Sequence, residues 1–102
     1  MLNIELNSEA HEKLKKLAAA YKNDYDTLFE DFFNFNVEEL KRGMKNIEID
    51  FAFFENKYSI STNEFYQNFK QGKFDDTNDD FLRWSGEYEI WLEHKQELEK
   101  LQ

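Results

Sequence analysis

Residues 74–81 read FDDTNDDF, four aspartates in six positions with Thr77 and Asn78 between them. Such a run can ligate a hard cation, offer a contact to a basic partner, or supply negative charge where a helix begins. As a calcium loop, Asp76, Asn78, Asp80 and Glu87 fall at positions 1, 3, 5 and 12 of an EF-hand. Position 6, however, is Phe81 where the sharp turn takes glycine, and a helical pattern runs through the second half of the loop, so no metal is expected. The local chemistry instead favours Thr77 or Asn78 as a helix N-cap, with Asp79 and Asp80 in the first turn against the positive end of the helix dipole. That role leaves the same surface available to a partner.

Catalytic chemistry has little to build on. His11 and His94 are far apart in the sequence, and no Gly-rich phosphate loop or G-x-S-x-G pattern accompanies them. The absence of cysteine excludes disulfides, thiolate catalysis and Cys-based zinc sites. The chain is therefore expected not to be an enzyme and to carry no cofactor.

Charge points toward basic partners. The formal net charge is −9, which repels nucleic acid unless cations gather on one face. Residues 1–22 carry four Lys against three Glu, whereas residues 23–55 carry nine acids against three bases. Lys13, Lys15 and Lys16 form the only such gathering, with a solvated helix face as the alternative reading. Phe74, Trp84, Tyr88 and Trp91 together offer more aromatic area than a terminal helix usually needs. Aromatic anchors beside carboxylates suit a basic protein, through buried contact area and electrostatic steering.

The elements that must position these residues are mostly helical, since the chain has no proline and only three glycines to interrupt a helix. Residues 2–7, LNIELN, alternate apolar and polar and predict a short strand. A strand so short needs a partner for its edges, and a second copy of the chain is the natural one. Ser8 is the expected N-cap of a first helix over 9–22, and Asp24 or Asp26 of the next. From Phe33 through Val37, Leu40, Met44, Ile47, Phe51 and Phe54 to Tyr58 the apolar steps alternate four and three, which predicts one helix over 26–58. Gly43 leaves open whether that helix continues or ends there. Phe29, Phe32, Ile49 and Phe53 lie off this seam and call for further cover by a dimer or a bound protein. Ser61 and Glu64 form a capping box with Ile60 and Phe65 as a hydrophobic staple, opening a short helix that Gly72 should close. A last amphipathic helix is expected over 79–101.

The order of LNIELN, NSEAHEKLKKLA, KNDYD and TLFEDFFNF resembles the ribbon-helix-helix module of bacterial type II antitoxins. The resemblance implies a mainly α fold with a short N-terminal strand and about four helices, residues 1–42 forming a dimerisation and DNA-binding module. Asn3, Glu5 and Asn7 would then face the DNA major groove from a paired ribbon. Residues 57–101 are similar to a tail of small prokaryotic proteins encoded beside toxins. This implies that residues 43–102 bind a partner, with Phe74, Asp75, Asp76, Asp79, Asp80, Trp84, Tyr88 and Trp91 facing a basic toxin.

The expected function is that of a homodimeric antitoxin, joined through the N-terminal strand, that neutralises a small basic toxin of the RNase type and represses its own operon. The competing reading is a stand-alone acidic inhibitor or immunity protein that never touches DNA. No apolar run reaches the roughly 18 residues of a membrane span and no signal-peptide pattern opens the chain, so a cytoplasmic location is expected.

Overall fold

A computed structural model describes residues 6–102. Four helices follow in order: α1 (Ser8–Ala20), α2 (Tyr25–Tyr58), α3 (Thr62–Lys70) and α4 (Asp79–Leu101). The expected strand-plus-helices fold is corrected by this architecture, because the described residues contain no strand. Residues 2–5 of the expected strand lie outside the described residues. Its end is a helix lead-in: Asn7 Oδ1 accepts the Ala10 N–H at 2.8 Å and the Asn7 carbonyl accepts the His11 N–H at 2.9 Å. Asn7 rather than Ser8 is therefore the N-cap. Its polar groups are spent on helix donors and not on a ribbon. The ribbon expected to join two chains is thus not formed by the described residues.

Packing divides the chain into two compact units, Met1–Asn36 and Val37–Gln102, and the division falls inside α2. In the first unit α1 ends in a Schellman turn: the Asn23 N–H reaches the Ala18 carbonyl at 2.7 Å and the Lys22 N–H reaches that of Ala19 at 3.0 Å. Lys22 and Asn23 take positive φ to make this turn. Asp24 then starts α2, accepting from the Thr27 backbone at 3.2 Å and from its hydroxyl at 2.8 Å. Tyr21 donates to Asp31 at 2.7 Å. Among the described apolar residues here, only Ala18 and Leu28 are buried.

The second unit has a real core. The remainder of α2 carries Gly43 in mid-helix and supplies Phe51, Phe54 and Tyr58, to which α3 adds Phe65 and α4 adds Trp84. Trp84 lies between two phenylalanines: its ring stacks on Phe65 with centroids 3.9 Å apart and planes 3° from parallel, and on Phe54 at 5.3 Å. The indole N–H donates to Thr62 Oγ1 at 3.0 Å, so the buried polar atom is satisfied. Ser61 caps α3 by accepting the Glu64 N–H at 3.2 Å. Glu55 reaches the same end of α3 from α2, its carboxylate accepting the Thr62 N–H at 2.7 Å. Gly72, at φ 75°, closes α3 in a Schellman turn that binds the Lys73 N–H to the Asn68 carbonyl at 3.0 Å.

Candidate partner-binding site

The residues expected to face a partner all lie in the second unit, and their surroundings divide them. Asp75 is exposed but turned onto its own loop, where Oδ1 accepts from the Thr77 N–H at 2.9 Å and the Thr77 hydroxyl at 2.6 Å. These bonds, the hydroxyl first, hold its carboxyl below the ordinary range. Asn78 is the N-cap of α4, its Oδ1 accepting the Phe81 N–H at 3.1 Å. Asp76 and Asp79 are exposed and carry no ion pair among the described residues. Asp80 is occupied within the fold, since Oδ2 accepts from Lys57 Nζ and from the Tyr58 hydroxyl, both at 2.6 Å.

The aromatic candidates turn inward. Trp84 is fully buried and is the centre of the core, so it presents nothing to a partner. Phe74 is half-buried against Phe65 and Phe81, with centroids at 5.3 and 5.2 Å. Tyr88 packs on Tyr66 at 4.6 Å and stacks on Trp91 at 6.1 Å. The Lys95 ammonium lies 5.5 Å from the Trp91 ring centroid. Aromatic area in excess of what one helix needs is thus spent on joining three helices.

No family model, no curated protein and no solved structure matches the chain. The site is therefore read from its own geometry. Among the described residues no group of three acidic or histidine side chains converges as metal ligands. Asp76, Asn78, Asp80 and Glu87 do not form a loop: Asn78 caps, Asp80 binds Lys57, and Glu87 lies further along α4 beside Arg83 at 3.3 Å. Of the expected DNA-facing set, Asn3 and Glu5 lie outside the described residues and Asn7 caps α1. Lys13 and Lys15 pair with Glu9 and Glu12 at 3.3 and 3.8 Å. Among the described residues no helix is long and apolar enough to cross a membrane.

Two features went unseen in the sequence. One is a polar seam between α2 and α4 in which Arg83 reaches Asp50 at 3.0 Å as well as Glu87. Burial first, and then the Asp50 carboxylate, push the Glu87 carboxyl up. Glu87 Oε2, Trp91 Nε1 and His94 Nδ1 on α4 are buried without a hydrogen-bond partner. The other is an open cleft of about 470 Å³ lined by Glu38, Lys41, Arg42, Met44, Lys45, Glu48 and Leu98. It mixes acidic and basic side chains with the apolar Met44 and Leu98. Neither feature had a sequence signal, because each depends on which side chains two helices bring together.

The Lys57–Asp80–Tyr58 contact has a definite pH signature. Hydrogen bonds from Lys57 and then Tyr58 hold the Asp80 carboxyl below the ordinary value, and its bond to Asp80 raises the Lys57 ammonium. A depressed carboxyl contributes stability that is present above its unfolded value of 3.8 and lost as pH falls through the folded one. Lys57, being raised, keeps its contribution up to its unfolded value of 10.5 and loses it as pH climbs through the folded one. The Asp80→Asn protein is expected to melt below wild type at neutral pH and to converge with it in strong acid. Melting temperature followed by circular dichroism against pH checks this; parallel curves for the two proteins would refute it.

Proposed function

We propose that this chain is an antitoxin-type inhibitor, in which the first unit pairs two copies and the acidic second unit neutralises a small basic protein in the cytoplasm. A ribonuclease is the favoured class of target, because a surface that binds RNA is basic and an acidic face competes for it. One observation carries the reading. Residues 74–102 hold nine acids against three bases, and they are mounted on an aromatic-cored helical unit that keeps Asp76, Asp79 and Glu93 outside its ion pairs. A rigid, preorganised acidic face needs little ordering on binding.

Self-association is favoured by the first unit. Tyr25, Phe29, Phe32, Phe33 and Phe35 are 50, 37, 62, 43 and 61% exposed. At about 200 Å² per aromatic side chain, these leave on the order of 500 Å² of apolar surface uncovered. That matches the largest patches of ordinary monomers and approaches the roughly 800 Å² per partner of a stable complex. A second copy also answers the charge: α1 carries the Lys cluster, while Asp24 just before α2 and Asp26, Glu30 and Asp31 within it follow without a cation among them. An isologous pair can place each set against the other.

The test is calorimetric titration with the purified product of the adjoining gene, with its toxicity and RNase activity measured in parallel. Tight binding that weakens with salt and abolishes activity is the expected result; a basic neighbour that does not bind would sink the reading. The inhibitor reading without DNA binding is favoured by Asn7, whose side chain is committed to α1. A gel shift with the upstream DNA at low salt separates the two, a specific shift supporting autorepression and none supporting the stand-alone inhibitor.

A further inference from the structure

The chain has three glycines, and two have reasons within the fold. Gly72 takes positive φ, and a Cβ on Gly43 would come within 3.3 Å of the His94 ring that packs over it. Gly86 has neither reason. It sits inside α4 with helical backbone, and beyond its own stretch of helix backbone a Cβ there would meet no atom of the described residues within 4 Å. A glycine inside a helix is less stable than alanine, so the fold carries a cost at this point that nothing among the described residues recovers.

The neighbours of Gly86 suggest what recovers it. Leu82 and Ile90, four residues to either side, are 48 and 45% exposed. Residues at i and i+4 share a helix face, so Leu82, Gly86 and Ile90 form an outward ridge with a gap at its centre. Asp79 and Glu93 stand one heptad before and after Gly86 on the same face, both exposed and neither in an ion pair among the described residues. The order acid, Leu, Gly, Ile, acid with spacings of three, four, four and three is that of a short helix-packing surface with charged ends.

We propose that the Asp79–Leu82–Gly86–Ile90–Glu93 stripe is the docking line for a basic helix of the partner protein, which lies over α4 at Gly86. This rests on the inhibitor reading above and names its contact surface. The absent side chain lets the two helix axes approach toward the close end of the 8–10 Å range. Leu82 and Ile90 flank the incoming side chains, and the carboxylates, about 21 Å apart along α4 at 1.5 Å per residue, meet Lys or Arg at the partner helix's two ends. Cationic chemistry fits because α4 carries seven acids against three bases.

Three variants test this with the product of the adjoining gene as the titrant. Gly86→Ala is expected to raise the melting temperature of the free protein by a few degrees. Gly86→Leu should fold as well as wild type yet bind the partner at least tenfold more weakly. Asn56→Leu, at an exposed position on α2 away from the stripe, should leave affinity unchanged. Equal affinity of wild type and Gly86→Leu for the partner overturns the assignment of the stripe while leaving the inhibitor reading intact. Failure of wild type to bind the basic protein overturns the inhibitor reading itself. A Gly86→Leu protein that changes oligomeric state instead assigns the stripe to a second copy of the chain, and overturns a partner helix there.

Discussion

Trp84→Ala is expected to remove about 3–5 kcal/mol of stability, the range for deleting a fully buried large aromatic, which for a domain of this size is a large part of the total. The indole is 0% exposed and is stacked between Phe65 and Phe54. Its loss opens a cavity where α2, α3 and α4 meet. Urea unfolding followed by far-UV circular dichroism should show the midpoint displaced far below wild type. Thr62→Val separates packing from polarity. It keeps the volume but strands the indole N–H that now donates to Thr62 at 3.0 Å, a loss of about 1–3 kcal/mol. Asp76→Asn and Asp79→Asn, on exposed carboxylates, should leave the midpoint near wild type while weakening a basic partner. A Trp84→Ala protein as stable as wild type would refute the placement of this residue at the core.

Phe32→Asp is expected to abolish the self-association proposed for the first unit. Phe32 is 62% exposed, so the change removes little packing within its own chain. In a dimer it buries a carboxylate without a partner, which is costly enough to separate the copies. Sedimentation equilibrium at micromolar concentration should give twice the chain mass for wild type and the single mass for the variant. Trp84 and Trp91 both lie in the second unit, and their fluorescence should be unchanged, showing that the fold there survives. A wild-type monomer at 100 µM, about an upper concentration for a specific association of this kind, would remove the dimer.

The local chemistry was legible wherever a single residue fixes the backbone. Ser61 as a cap and Gly72 as a terminator follow from hydroxyl geometry and from the freedom of glycine at positive φ, and both stand in the structure. The seam from Phe33 to Tyr58 is compatible with one helix but Gly43 left its continuation open; α2 runs through Gly43, with the His94 ring packed over it. The end of LNIELN misleads because Asn7 suits an N-cap as well as a strand end, and it caps α1; residues 2–5 lie outside the described residues. A strand gains its stability from a neighbour that the sequence does not display.

The candidate site shows the same boundary. Asp76 and Asp79 could be placed on the surface from their type, since a carboxylate stays in water unless it is paired. Trp84 could not be assigned: an aromatic beside a run of acids serves equally as a core residue or a contact anchor, and helical spacing is the same for both. Legible in the sequence were four helical segments, the Ser61 cap and an acidic chain without cysteine, whereas the cap expected at Ser8 falls to Asn7. Packing settles which aromatics meet across three helices, that Asp80 binds Lys57 and Tyr58, and that Gly86 has no packing neighbour among the described residues. Caps and periodicity are set by residues a few positions apart, whereas stacking, ion pairing and empty space depend on side chains brought together from distant parts of the chain.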